Sequence, residues 1–380
     1  MLRKNVLFIL FAVTALMAAE DEIVYQKQSA DPLFVQKENG KSSDRLATTL
    51  KKATEEESNL ELSSSSLINS KEGTYVYITG DFLCLKAKEN GLYYAHAIAG
   101  PGTQNLDPTE YDINGELQKV TPEWDPAFRL GLGINTFYDD WDFYAQWTRF
   151  KTDAQHFTND ELVMLWAHSD IEHFHYKSRW AKAKWKLKLN MFDMDLGRAF
   201  YIGERFSIRP SFGIATLFVK QVFKINNLYY ASDFQFRDTD LYAVTLPTSD
   251  YSAGGIKAAL DARFSFIRQL SILAAADGSM YYGKFKADFS EKENNTKVAY
   301  TSDHFYMGIN HFHFALGLVL DIFYGENDNH CGFQVTWEQS MFFGLNQMNH
   351  YRFRFIEGIF RQHNDDLTLQ GIAVKLRWDF

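Results

Sequence analysis

The sequence predicts an all-β protein, a transmembrane antiparallel β-barrel with an N-terminal polar extension. Three observations support this fold class. Apolar and polar residues alternate with a period of two from Thr74 to Phe380. Aromatic residues make up 16% of the chain while charged residues reach 23%, a combination foreign to helical membrane bundles and to disordered chains. The alternating segments span about 9 to 14 residues, the length that a tilted strand needs to cross a bilayer.

The first 19 residues have the layout of a secretory signal peptide. Arg3 and Lys4 precede an apolar run that is too short to span a bilayer, and Ala18 and Ala19 stand before the acidic Glu20. We expect cleavage after Ala19 and export of the remaining chain. Beyond this leader the sequence holds no run of 18 apolar residues, which excludes helical membrane spans.

Residues 20–72 form a second region of different composition. Its central part, Lys41 to Ser66, is rich in serine, glutamate, lysine and threonine and holds no aromatic residue. A helix from about Asp44 to Ser58 would have only a thin apolar stripe. We therefore predict a polar linker or short helical extension over 20–72 and a barrel over 73–380.

The barrel region reads as a series of hairpins. Residues 128–135 and 141–148 alternate strictly, with Asp139 and Asp140 as the turn between them. Residues 206–218, 256–266 and 270–277 repeat the pattern. Counting such segments predicts about 12 to 16 strands. The polar stretches 100–126, 152–179, 236–251 and 286–303 are predicted to be long outer loops.

The composition of the two strand faces distinguishes a barrel from a soluble sandwich. The apolar face carries large aromatic residues such as Trp141, Phe143 and Trp147, whereas a sandwich core favours valine, isoleucine and leucine. In lipid, unpaired backbone groups are so costly that a closed ring of strands is required. The sequence thus predicts a barrel in a bacterial outer membrane.

The last strand, Ala373 to Phe380, is strongly amphipathic. Leu376, Trp378 and Phe380 share one face and end the chain on an aromatic residue. Such an ending resembles that of outer-membrane proteins, and we predict that these three residues form the signal read by the barrel assembly machinery. Lipopolysaccharide and bilayer lipid are the other expected partners, and a homo-oligomer is a further expectation.

Several stretches resemble the pore-forming major outer membrane proteins of Legionella and of chlamydia-like bacteria. They are Gly80 to Ala95, Trp124 to Phe150, Trp185 to Gln221 and Thr336 to Met348. The resemblance implies a porin-type barrel and leaves the transported solute open. The polar inward-facing positions, without a visible gating or energy-coupling motif, predict passive diffusion of small hydrophilic solutes or ions, with a structural or adhesin-type surface barrel as the alternative.

Charged residues on the polar strand faces are the candidates for the pore lining. Four lysines, at positions 182 to 188, would give the lumen a ladder of positive charge that attracts anions; an ordinary solvated face is the alternative. The complete set of pore-lining candidates is Lys182, Lys184, Lys186, Lys188, Arg209, Lys257, Asp261, Arg263, Asp277, Asp142, Lys375 and Arg377.

The remaining motifs indicate little chemistry. The net charge of −9 argues against a nucleic-acid partner. The histidine pairs His173 with His175 and His311 with His313 have no third metal ligand at a fixed spacing, so no metal or other cofactor is expected. Cys84 and Cys331 leave packing or a disulfide open. No arrangement of nucleophile and base is ordered by the sequence, so we expect no enzyme activity.

Overall fold

The computed structural model describes residues 74–97, 115–136, 140–166, 177–231, 239–324, 329–351 and 360–380. The predicted signal peptide, the polar extension and the pair His173 and His175 lie outside these ranges. Within them there is no helix long and apolar enough to cross a membrane.

The described residues form sixteen strands. In chain order these are β1 (Tyr75–Glu89), β2 (Tyr93–Ala97), β3 (Leu117–Lys119), β4 (Trp124–Asn135), β5 (Trp141–Thr158), β6 (Leu162–Met164), β7 (Lys177–Arg198), β8 (Phe200–Ile202), β9 (Phe206–Ala231), β10 (Thr239–Ile267), β11 (Leu270–Glu293), β12 (Thr296–Tyr324), β13 (Asn329–Asn346), β14 (Asn349–Tyr351), β15 (Phe360–Gln362) and β16 (Asp365–Asp379).

Ten of these strands close into a ring. The order is β1, β4, β5, β7, β9, β10, β11, β12, β13 and β16, and β16 returns to pair with β1 from Tyr77–Asp379 to Glu89–Leu367. Every pairing in the ring is antiparallel. The predicted fold class, an all-β antiparallel barrel, is confirmed.

The ring holds ten strands rather than the predicted 12 to 16, because individual strands are much longer than expected. β10 and β12 each contain 29 residues. Two stretches predicted as loops, 236–251 and 286–303, lie largely inside β10, β11 and β12. Polar residues interrupt the apolar alternation on their outer face and led to the loop prediction, yet the backbone stays paired: Lys286, for example, is opposite His304.

The two ends of the barrel differ in their connections. The end where β1 begins and β16 finishes has the short connections 136–140, 199–205, 268–269 and 325–328, and we call it the turn end. The opposite, loop end has the long connections 90–123, 159–176 and 347–364. One connection at the loop end is a tight hairpin, where Asn294 and Asn295 adopt positive φ angles of 46° and 69°.

Alternation along each strand separates an apolar outer face from an inner face. Large apolar side chains on the outer face are exposed, with Ile256 at 65% and Phe82 at 61%. They form a belt around the turn-end half of the barrel, and lipid is the solvent that such a belt fits. Tyr282 and Tyr306 stack at the loop-end edge of this belt, with ring centroids 6.1 Å apart.

The inside of the loop-end half is packed with apolar side chains. We call this set the apolar layer; every member is at most 6% exposed. It contains Leu83, Leu85, Phe150, Trp185, Leu187, Leu189, Leu217, Val219, Tyr251, Phe285, Ile309, Phe342 and Leu369. Rings stack within it: Tyr251 and Phe285 have centroids 4.1 Å apart. This layer occupies the loop-end half of the lumen, next to the polar turn-end half. Side chains from a ring of ten strands can meet across the lumen.

Gly133 makes room for an aromatic stack on the inner wall. The Tyr77 ring, which stacks on Tyr144 at 5.8 Å, lies where a Cβ of residue 133 would be. Gly133→Ala should therefore destabilise the barrel by about 1–3 kcal/mol through overpacking. The outward-facing Gly80 has open space around its Cβ position, so Gly80→Ala is the control. Urea midpoints of the folded band in detergent gels would compare the two; equal midpoints would contradict the packing argument.

The charged vestibule as candidate functional site

A cavity of 420 Å³ occupies the turn-end half of the lumen. Its walls extend from Tyr75 and Arg268 at the turn end to Leu83, Phe150 and Phe342 of the apolar layer. Between these limits the inward-facing strand positions carry charged and polar side chains. We call this space the vestibule.

Arg129 on β4 joins three strands at the centre of the vestibule. Its guanidinium donates a hydrogen bond to Asp81 of β1 at 3.0 Å and contacts both carboxylate oxygens of Glu338 on β13, at 3.3 and 3.0 Å. Lys375 of β16 approaches the same Asp81 oxygen at 3.6 Å. The Asp81 side chain is fully buried. Buried carboxylates of this kind are tolerated only when they are paired, so this cluster fixes β1, β4, β13 and β16 together.

A second cluster links β7 to β10. The Lys257 ammonium lies 3.5 Å from Asp193 and 3.3 Å from Asp195, and all three side chains are at most 6% exposed. The amide of Gln146 donates a hydrogen bond to Asp193 at 2.9 Å. Two carboxylates thus share one ammonium and one neutral donor, and the local charge is negative.

Arg209 on β9 holds a third cluster. It forms a two-pronged ion pair with Asp142 of β5 and a further contact with Asp261 of β10 at 3.2 Å. Paired forks of this type give orientation as well as energy. The Asp261 side chain is 36% exposed, so this carboxylate presents an oxygen to the water of the vestibule.

A fourth cluster lies at the turn end, on β10, β12, β13 and β16. His330 contacts Asp379 at 2.7 Å and Asp321 at 2.8 Å through its two ring nitrogens. Arg263 pairs with Asp321, and Arg377 donates to Asp379 at 2.7 Å. The network therefore runs along the inner wall from the mouth toward the apolar layer.

Charged residues of both signs line the vestibule or lie directly behind its wall. Nine carboxylates face seven lysine and arginine side chains, and His313 and His330 each lie between two of the carboxylates. The carboxylates are Asp81, Asp142, Asp193, Asp195, Asp261, Asp277, Asp321, Glu338 and Asp379, and the bases are Arg129, Arg209, Lys257, Arg263, Arg268, Lys375 and Arg377. The two signs of charge therefore nearly balance in the lumen.

Eight of the twelve predicted pore-lining residues face this vestibule. They are Asp142, Arg209, Lys257, Asp261, Arg263, Asp277, Lys375 and Arg377. A role for any of them in conduction stays a prediction.

The four lysines of β7 are placed differently, and their assignment to the lumen is wrong. Lys182, Lys184, Lys186 and Lys188 lie on the outer face, while the intervening Trp185 and Leu187 are completely buried inside. The sequence pattern could not show this reversal. On the loop-end side of the lipid belt the outer face meets water, and the apolar side chains pack inward. The outer face is therefore polar and the inner face apolar there, although the alternation along the strand continues without a break.

Sequence reasoning missed several residues of the network. Asp81, Arg129 and Glu338 were not among the candidates, nor were Asp193 and Asp195 of the Lys257 cluster. The alternation along the strand does indicate that these residues point inward: Arg129, for example, lies between the outward Phe128 and Leu130. Pairing between strands so distant in sequence is visible only once the ring has closed.

The remaining candidates have simple positions. His311 and His313 both face the lumen, and His313 contacts Asp277 at 2.7 Å. No group of three potential metal ligands occurs in the described ranges. Cys84 and Cys331 are free and lie on the outer face, on strands that each pair with β16. Leu376, Trp378 and Phe380 are exposed on that face, and their role in assembly stays a prediction.

Comparison with known proteins yields both sequence and structural similarity. The family model described as Legionella pneumophila major outer membrane protein precursor matches residues 71–380. No curated protein matches the chain. Among solved structures, the outer membrane protease OmpT from Escherichia coli has a TM-score of 0.39 at 8% identity, covering 80% of this chain and 96% of its own.

Two further outer-membrane structures are similar at lower TM-scores. Ail of Yersinia pestis scores 0.25 at 11% identity, over 80% of this chain and 99% of its own. OprG of Pseudomonas aeruginosa scores 0.23 at 10% identity, over 81% and 97%. These similarities support no inference about activity. The family match covers nearly all of the barrel region, and the chain therefore belongs to the Legionella major outer membrane protein family and is located in the bacterial outer membrane.

Proposed function

We propose that the protein is a narrow diffusion pore for small hydrophilic ions. The observation that supports this most strongly is the water-accessible vestibule lined by paired charges. Short turns face the periplasm in barrels of this class, so the vestibule would open to the periplasm. Ions entering it would exchange hydration for carboxylate oxygens such as those of Asp261.

The energetics of the network favour this function over a purely structural one. Buried ion pairs are often no more stabilising than well-packed apolar side chains of the same volume. The loop-end half of the same lumen is packed mostly with apolar side chains, with the buried carboxyl groups of Glu89 and Glu291 among them. The charges of the turn-end half are consistent with a requirement for water and ions there.

The apolar layer would act as the constriction of the pore. Hydrophobic constrictions gate channels by losing their water, and transient hydration restores conduction. We therefore expect small and infrequent conductance steps rather than the steady current of a wide porin.

Planar-bilayer recordings on purified protein test the proposal. The purified protein should give discrete conductance steps. Asp261→Asn should shift the reversal potential in a tenfold salt gradient toward anion permeation, because it removes the most exposed carboxylate of the vestibule. Asp288→Asn, outside the lumen near the loop end, is the control. Absence of conductance steps from the wild-type protein, or an unchanged reversal potential in Asp261→Asn, would contradict the proposal.

A structural or surface-adhesin barrel is the second candidate. The observation in its favour is the apolar layer, which leaves the loop-end half of the lumen filled. The long β10, β11 and β12 also extend well past the lipid belt. Complete absence of current in both the wild-type protein and a variant with a truncated layer would favour this candidate.

A further inference from the structure

A band of basic side chains lies on the outer face of the barrel, on β5, β7, β9 and β11. We call it the basic band. Each member alternates with buried inward residues such as Phe150, Trp185, Phe223 and Phe285, so its side chain points away from the lumen. The ten members are Arg149, Lys151, Lys182, Lys184, Lys186, Lys188, Lys220, Lys224, Lys284 and Lys286.

The strand register places like charges directly opposite each other within the band. Lys188 is opposite Lys151 on one side and Lys220 on the other, and Lys184 is opposite Lys224. Directly opposed like charges on one sheet face are destabilising. Such an arrangement is costly in an isolated barrel and becomes favourable when an anion lies over it.

The carboxylates of the same surface neutralise only part of this charge. Asp153 contacts Lys184 at 2.9 Å and Lys186 at 3.7 Å. Asp250 contacts Lys220 at 3.1 Å and Asp288 contacts Lys286 at 3.0 Å. These three acids face ten basic side chains, so the surface keeps a large positive excess.

The members of the band nearest the belt lie at the height of the headgroup region of the outer leaflet, whereas Lys182, Lys184, Lys186 and Lys224 lie farther toward the loop end. The lipid belt ends at large outward side chains, among them Trp147, Phe218 and Tyr282. Arg149, Lys220 and Lys284 each come two positions further along the strand, and Lys151 and Lys286 four. At about 3.3 Å per residue this is roughly 7 to 13 Å along a tilted strand. The headgroup layer beyond the hydrocarbon is about 5 to 7 Å thick on each side.

The band occupies one side of the ring. At the loop-end edge of the belt on the opposite side, the outward positions of β13 and β16 carry uncharged Gln339, Thr368 and Gln370, and β1 adds only Lys86 and Lys88. A uniform attraction to a charged membrane surface does not require the basic residues to gather on one side. Binding of a ligand at one place on the circumference does require it.

We propose that the basic band binds the phosphate groups of phosphorylated lipids in the outer leaflet. The acyl chains of such a lipid would lie on the adjoining apolar belt, and its phosphates would neutralise the opposed lysines of β5, β7 and β9. Lipid A, which carries two phosphates on a multiply acylated sugar headgroup, is the probe that fits this chemistry.

Binding of purified protein to neutral-lipid nanodiscs doped with bisphosphorylated lipid A tests this proposal. The variant Lys151→Gln, Lys188→Gln, Lys220→Gln, Lys284→Gln should bind at least about tenfold more weakly, because each lysine contributes to anionic-surface attraction. The control, Lys86→Gln with Lys88→Gln, removes outward lysines from β1 and should bind as the wild type does. Heat-modifiable gel migration verifies that each variant is folded.

Two further measurements identify the source of the anion. Phosphatase-treated lipid A should bind the wild type as weakly as lipid A binds the four-lysine variant, and free inorganic phosphate should not displace lipid A. Wild-type affinity should also fall as salt rises, which keeps the test valid if the variant fails to fold. Equal affinity for both forms of lipid A, or equal affinity of wild type and variant, would overturn the proposal. Displacement by free phosphate would likewise overturn the lipid as occupant.

Discussion

Replacing Arg129 by methionine should lower the stability of the barrel by about 3–5 kcal/mol, because removal of one partner leaves buried charges uncompensated. The loss is large because Arg129 serves two carboxylates on different strands, Asp81 with a fully buried side chain and Glu338 with one 7% exposed. Both would remain in the lumen without a guanidinium. Urea denaturation followed by tryptophan fluorescence in detergent would measure the shift in midpoint.

The matched control separates charge from packing. The variant Arg129→Met, Glu338→Gln removes one cation together with one anion and leaves Asp81 in contact with Lys375, so it should recover most of the lost stability. Arg149→Met, an arginine two strand positions from Lys151 on the outer face, should shift the midpoint by less than about 1 kcal/mol. An unchanged midpoint for Arg129→Met alone would contradict the assignment of this cluster as the fixed centre of the vestibule.

Truncation of the apolar layer should open the pore. Phe150 and Phe342 border the vestibule and are almost completely buried, so the variant Phe150→Ala, Phe342→Ala removes the side of the layer that faces water. We expect mean current to rise about tenfold, because a wider and wetter constriction conducts more often. Planar-bilayer recording at fixed voltage gives this quantity directly.

A lipid-facing truncation serves as the control for that variant. Phe212→Ala, at a position 61% exposed on the outer face, should leave the current unchanged. Each buried Phe→Ala change also costs about 3–5 kcal/mol of stability, so folded protein must be selected by its gel migration. If the folded double variant carries the same current as the wild type, the layer is not the constriction.

The sequence was sufficient to predict the barrel but not its strand number. Alternation in 128–135 and 141–148 specified the β4–β5 hairpin, and the structure pairs Leu130 with Trp147 as that phase requires. The count was too high because long strands change character where they leave the lipid. Around Lys286 and Asp303 the outward residues become polar, and polarity alone cannot distinguish a strand in water from a loop.

The same change of solvent explains the error at the β7 lysines. Periodicity assigned Lys186 and Trp185 to opposite faces correctly, since that follows from strand geometry. Which face is the inner one depends on the height of the residue relative to the membrane, and this requires the register. Trp185 is inside because Ala154 and Phe223, its cross-strand neighbours, also pack inward.

The charge network was beyond sequence reasoning for a different reason. Arg129 and Glu338 are 209 positions apart and meet across the lumen only after β16 has paired with β1. Strand phase can indicate that both point inward. The stagger of the closed ring determines which inward residues share a height, and no local pattern encodes it.

The proposed division of the lumen into a vestibule open at the turn end and a sealing apolar layer can be tested by one measurement of thiol accessibility. Ala259→Cys, in a background with Cys84→Ala and Cys331→Ala, places the sole cysteine on the vestibule wall. A small charged methanethiosulfonate would be added outside proteoliposomes of known orientation, with the exposed Ser302→Cys as control at the loop end. We expect labelling from the turn-end side to be at least about tenfold faster than from the loop-end side, because entry from the latter requires local opening of the layer. Equal rates from both sides would contradict a sealed layer and indicate a continuously open channel.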